Sequence, residues 1–128
     1  MRSVCLGILA VLTLGPTAAL AQDAAAGEKI FAQCKACHQV GEGAKNAVGP
    51  HLNGVIGRVA GSLPDYTYSP AMKSSGLTWD EATFTDYIKN PRAKVPGTKM
   101  VYAGLKDEQR IKDLIGYLTQ FDATGKKT

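Results

Sequence analysis

The sequence predicts an all-α domain whose helices are joined by long ordered loops. Three stretches place apolar residues at helical spacing behind capping residues. Strand signals are weak, amounting at most to Val55-Ile56 and Tyr66-Thr67-Tyr68. The 128 residues, 45% hydrophobic and 20% charged, make one domain of ordinary globular composition. That composition excludes a multidomain enzyme, a collagen-like repeat and a disordered charged tail. A formal charge of +4 is mildly basic and falls short of a nucleic-acid stripe, so no nucleic-acid partner is expected.

The first element is not part of the fold. Residues 1–21 read as a secretory signal peptide: Arg2 is the positive start, Val4 to Leu14 the apolar run, and Ala19-Leu20-Ala21 the small-x-small cleavage site. The run is well short of the ~20 residues that span a bilayer, and Gly15-Pro16 breaks it, which speaks against a retained anchor. The domain is expected to be residues 22–128, in the bacterial periplasm, with no membrane segment after cleavage. Of the three cysteines, Cys34 and Cys37 then remain.

Asp23 is placed to cap a helix over residues 24–35, with Ile30 and Phe31 on one face. Thr78 and Glu81 have the spacing of a capping box and open a second helix that Pro91 ends. Its expected buried positions are Phe84, Tyr87 and Ile88. Asp107 is placed to cap a third helix, with Ile111, Leu114, Ile115, Leu118 and Phe121 at helical spacing and Gly125 as its stop. Residues 41–69, rich in Gly, Pro and Asn, read as loop. Loops this long are uncommon in a compact domain unless functional. Three modest helices offer a thin core, so something other than protein is expected to fill the middle.

Cys34-Lys35-Ala36-Cys37-His38 is C-x-x-C-H, the pattern of c-type haem attachment. Two thiols at i and i+3 on a tight turn can add across the two vinyl groups of one porphyrin, and the next imidazole projects at the iron. A redox dithiol is an alternative, but it calls for a βαβ context. Zinc held by Cys34, Cys37, His38 and His51 is another, but adjacent Cys37 and His38 converge poorly on one tetrahedral ion. Candidates for a second axial ligand are Met72, Met100, His51 and the lysines. Met100 is favoured because Pro96-Gly97 stiffens the loop before it, whereas Met72 follows Ser69-Pro70 in what reads as a short surface turn.

The chain resembles class I cytochrome c, in its short, mitochondrial-like bacterial form called cytochrome c2. The resemblance covers nearly all of residues 22–128. It rests on Gly27 and Phe31, the C-x-x-C-H motif, Gly49-Pro50-His51-Leu52, Gly57-Arg58, Tyr66-Thr67-Tyr68, Gly76-Leu77-Thr78-Trp79, Asn90-Pro91, Pro96-Gly97-Thr98-Lys99-Met100 and Asp113-Leu114-Ile115-Gly116-Tyr117-Leu118. It implies the cytochrome c fold wrapped around one covalently attached haem c, with thioethers at Cys34 and Cys37 and axial ligands His38 and Met100. It further implies that the Pro50 carbonyl orients His38, that Arg58, Tyr68, Trp79 and Thr98 hold the haem propionates, and that Tyr87 reaches the Met100 sulfur. Gly27 and Phe31 would lie against Leu114 and Tyr117, and Tyr102 would stand near the exposed haem edge.

The function implied is a monomeric one-electron carrier, not an enzyme. It would run between a quinol–cytochrome c oxidoreductase and a terminal oxidase or photosynthetic reaction centre. Membrane complexes would dock transiently on a basic face formed by Lys35, Lys45, Arg92, Lys99 and Lys106. A haem enzyme or sensor would need an open sixth position, which Met100 argues against. The sequence departs from the mitochondrial pattern at Met72, usually Asn, and at Gln33 and Ala93, where Lys is common.

Overall fold

The computed structural model describes residues 21–128 together with Gly15. The expected signal segment, Ala21 and Gly15 apart, lies outside the described residues. Among the described residues five helices follow in order: α1 (Ala24–Phe31), α2 (Pro70–Lys73), α3 (Glu81–Lys89), α4 (Pro91–Lys94) and α5 (Glu108–Leu118). The three long ones are those expected. Among the described residues there is no strand, only isolated bridges between Val59 and Thr78 and between Phe121 and Lys127. None of the described helices is long and apolar enough to cross a membrane.

The terminal helices cross closely. An ideal Cβ at Gly27 of α1 would stand 1.9 Å from the Asp113 carbonyl oxygen and 2.8 Å from Tyr117 Cβ of α5, so only glycine permits this crossing. Phe31 and Tyr117 pack at a tilt beside it with ring centroids 5.4 Å apart. Asp113 is buried, yet its carboxylate accepts the Asp23 amide at 3.0 Å and the Gln109 side chain at 2.9 Å. The same contact therefore satisfies a buried carboxylate and ties down the start of α1. Ile111, Leu114, Ile115 and Leu118 line the buried face of α5, as their spacing predicts.

Several boundaries differ from the expectation. α1 ends at Phe31, not near Lys35, because its hydrogen bonds shorten to i→i−3 spacing: Ala32, Gln33 and Cys34 amides donate to Lys29, Ile30 and Phe31 carbonyls. The C-x-x-C-H motif thus lies on turns beyond the helix. α3 is capped by Asp80, whose carboxylate accepts the Thr83 amide at 2.7 Å, rather than by Thr78. Thr78 is held extended instead, because Leu77 and Trp79 on either side bond the 57–60 segment. α5 ends at Leu118, where the Thr119 hydroxyl bonds back to Ile115 and Gly116, and Gly125 turns the chain only later. Asn90 closes α3 and caps α4, with Pro91 at the first position of α4.

The long loops are fixed by single polar side chains. Asn53 is buried and clamps Gly41, accepting its amide at 2.8 Å and donating to its carbonyl at 2.9 Å. The Tyr66 hydroxyl donates to the Val48 carbonyl at 2.8 Å. These bonds hold residues 38–69 around one side of a central cavity.

Candidate functional site

The cavity measures about 240 Å³ and its wall is mostly apolar. Cys34, Cys37 and His38 reach it from the turns after α1, Met72 from α2, Phe84, Tyr87 and Ile88 from α3, and Met100 from the loop before α5. His38 Nδ1 lies 2.7 Å from the Pro50 carbonyl oxygen. A carbonyl only accepts, so Nδ1 carries the proton and Nε2 keeps its lone pair. Burial lowers the His38 pKa, with the Pro50 carbonyl opposing and Arg58 assisting, which keeps the imidazole neutral and able to bind a metal. The ring rests on bare backbone: a Cβ at Gly49 would stand 2.3 Å from His38 Cε1.

No disulfide joins Cys34 and Cys37. Burial, with Cys37 nearby, pushes the Cys34 thiol up to about 11. A redox dithiol needs the opposite shift, toward thiolate. The zinc alternative fails as well, since no three His, Cys, Asp or Glu side chains among the described residues are grouped to hold an ion. The thiols are placed instead on a greasy wall beside a ready imidazole, which suits a flat apolar prosthetic group.

A polar corner completes the site. Arg58 lines the cavity and donates through one nitrogen to the His51 and Asn53 carbonyls, at 3.0 and 3.2 Å. None of the described ion pairs includes Arg58. Burial lowers its pKa. A half-buried cation without a carboxylate among the described residues calls for an anion from elsewhere, and among the same residues His51 Nδ1 beside it is buried without a partner. An apolar disc bearing acidic side groups, as haem is, meets both demands.

The remaining expected residues fall as follows. Tyr68 lines the cavity and its hydroxyl accepts the Leu63 amide at 3.3 Å. Trp79 is buried with its ring 4.9 Å from that of Tyr87. The Tyr87 hydroxyl pairs with Thr98 Oγ1 at 2.8 Å, and Thr98 Oγ1 accepts the Met100 amide at 3.3 Å. The Tyr87 hydroxyl is thereby tied to the loop that carries Met100, two residues before it. Met72 is a partly buried wall residue rather than part of a surface turn. Of the basic residues, Lys99 lines the cavity, its ammonium 4.5 Å from the Tyr66 ring centre and bonded to the Thr67 carbonyl. Lys35, Lys45, Arg92 and Lys106 are exposed and outside its lining. Val48 and Val101, 71% and 87% exposed, also line this cavity.

Gly49 and Asn53 have functions no sequence pattern announced. The glycine seats His38 through the space it leaves, and Asn53 clamps a loop twelve residues away. A Gly or Asn in a loop reads only as a turn signal.

A small helical domain with long loops around an apolar cavity, walled by C-x-x-C-H and cornered by an unpaired arginine, is a c-type haem domain. Residues 24–122 match the family model described as Cytochrome c, and the chain belongs to that family. It is similar to cytochrome c2 of Blastochloris viridis, 53% identical over 99% of both chains. Cytochrome c2 of Rhodoplanes tepidamans is 57% identical over 83% of this chain and 99% of the relative. Among solved structures, cytochrome c2 from Rhodospirillum centenum aligns with a TM-score of 0.74 and 40% identity, covering 78% of this chain and 98% of that one. The chain is a class I bacterial cytochrome of the c2 type, an electron-transfer protein and not an enzyme, and it carries one covalently bound haem c.

Proposed function

We propose that Cys34 and Cys37 hold the haem through thioethers and that His38 Nε2 and the Met100 sulfur fill its two axial positions. The bound iron supplies a one-electron couple. The observation carrying this reading is the His38–Pro50 pair at 2.7 Å, which leaves the second ring nitrogen free on a wall shared with both thiols and Met100. Held by His38 and Met100, the iron would offer substrate no open position, and the chain would move little as an electron is gained or lost. The apolar wall disfavours the oxidised form, which carries one more positive charge, and the soft thioether acts in the same direction. Arg58, with Trp79, Tyr68 and Thr98, would hold the acidic groups of the haem.

The carrier works in the periplasm after removal of residues 1–21, as a monomer. It takes electrons from a quinol–cytochrome c oxidoreductase and passes them to a terminal oxidase or a photosynthetic reaction centre. Lys99 at the cavity edge, with the exposed Lys35, Lys45, Arg92 and Lys106, steers it to acidic patches on these complexes. Replacing Met100 with Ala is expected to abolish the far-red thioether–Fe(III) band and lower the reduction potential. Identical spectra for variant and wild type refute the assignment. Rates with each purified complex are expected to fall steeply as salt rises, and a flat dependence refutes charge steering.

A further inference from the structure

The loop between α4 and α5 carries Met100, and its hydrogen bonds are unevenly spread. Before the ligand, the Thr98 amide donates to Val95 at 2.9 Å and the Thr98 side chain bonds both Tyr87 and the Met100 amide. After it, the next backbone anchor is the Leu105 amide, which donates to Ile88 at 2.8 Å. Between these anchors, residues 101–104 make one hydrogen bond among the described residues. The Tyr102 hydroxyl donates to Gln33 Oε1 at 3.1 Å. That bond joins residues 69 apart in sequence and ties the ligand loop to the turn leading into Cys34. Both partners line the cavity, and the Tyr102 ring packs against the core.

We propose that the Tyr102–Gln33 bond is a latch that holds the Met100 loop closed at the cavity, making both side chains positioning residues for the thioether. The inference rests on the reading of Met100 as ligand. The chemistry suits a latch. A phenol donor and an amide acceptor are both neutral, so the bond does not depend on salt. It is exposed enough to break without unfolding the domain, and its loss leaves residues 101–104 with no other hydrogen bond among the described residues. The Tyr102 ring keeps its apolar packing when the hydroxyl is absent, so Tyr102→Phe removes the latch and little else.

The test uses the haem-loaded protein with Tyr102→Phe, Gln33→Ala, both together, and Gln33→Glu, which keeps an acceptor. Two readouts report loop opening: the rate of cyanide binding to the oxidised protein, and exchange of the Met100 and Leu105 amide protons, with the Ile115 amide as a core control. Each single variant is expected to speed both by about threefold to tenfold, the range for losing one ordinary hydrogen bond. The double variant should be no faster than the singles, Gln33→Glu should restore the wild-type rates, and Ile115 exchange should not change. In denaturant, the far-red band should vanish earlier in the single variants while the midpoint of global unfolding stays put. Unchanged opening rates in the singles, or effects that multiply in the double, overturn the latch. If Met100→Ala leaves the spectrum unaltered, the ligand reading fails and amide exchange alone decides the latch.

Discussion

Substitution of Gly27 by Ala is expected to be among the most damaging one-carbon changes in this chain. The new methyl would stand 1.9 Å from the Asp113 carbonyl oxygen, 2.6 Å from its carbon and 2.8 Å from Tyr117 Cβ. Two of those atoms are backbone of α5, so no side-chain rotation relieves the overlap. Restoring ordinary contact near 3.4 Å requires the helices to part by about 1.5 Å. Parting them loosens the Phe31–Tyr117 ring contact and the Asp23–Asp113 hydrogen bond, which are built on the same approach. Overpacking that falls on backbone sits at the upper end of the usual range, about 3 kcal/mol. For a domain of this size that lowers the melting temperature by roughly 15 °C. Gain of helix propensity from Gly to Ala offsets less than ~1 kcal/mol of it. Guanidinium and thermal unfolding of the haem-loaded variant, followed by far-UV circular dichroism, measure the effect. Glu28→Ala on the exposed side of α1 serves as control and is expected within about 0.5 kcal/mol of wild type. A loss below about 1 kcal/mol for Gly27→Ala, with an unchanged denaturant slope, refutes the close crossing.

Arg58→Met is expected to cost about 2 kcal/mol, because the His51 and Asn53 carbonyls lose a charged donor. The reduction potential is expected to fall with it, since a neighbouring positive charge disfavours the oxidised state; a voltammetric midpoint that stays put or rises contradicts the role of Arg58 as counter-charge. Asp80 supplies a pH dependence. The Thr83 amide and then its hydroxyl hold this carboxyl below its ordinary value of 3.8. A lowered folded-state pKa means that the contribution is present above the ordinary value and lost as pH falls through the lowered one. Asp80→Asn keeps a capping oxygen without a titration, so its melting temperature should approach that of wild type as acid is added from pH 5 toward 2. A constant difference across that window argues against the charged cap.

What the sequence made legible was local. Asp23 and Asp107 announce helix starts because a capping carboxylate acts on an amide three residues ahead. The interior of α5 is legible because four apolar residues repeat at helical spacing. The C-x-x-C-H motif is legible because covalent attachment fixes its spacing. α2 and α4 give no such signal: four residues are too few for a period, and each exists because a cap and a proline start it, at Ser69-Pro70 and Asn90-Pro91. Thr78 and Asp80 are both capping residue types. The choice falls to Asp80 because Trp79 bonds to Arg58 and to Gly57, 21 and 22 residues back, and keeps Thr78 extended.

The same division explains the site. Ligand candidates come from chemistry that residue type reveals, but their placement depends on bonds between distant loops. Asn53 clamps Gly41, Arg58 spans two carbonyls, Tyr66 reaches Val48, Tyr87 meets Thr98, and Tyr102 meets Gln33. Each is one polar side chain in a loop, where a period cannot form and a turn residue is the default reading. Together they do what a sheet does elsewhere, which is to fix long segments at the correct distance from a core. Such a frame suits a fold whose centre is a cofactor. A sheet pairs backbone with backbone and leaves little room, whereas side-chain struts hold the chain at arm's length and leave an apolar cavity between the helices. The loop density, uncommon in so short a chain, is therefore the means by which a thin helical core encloses a haem.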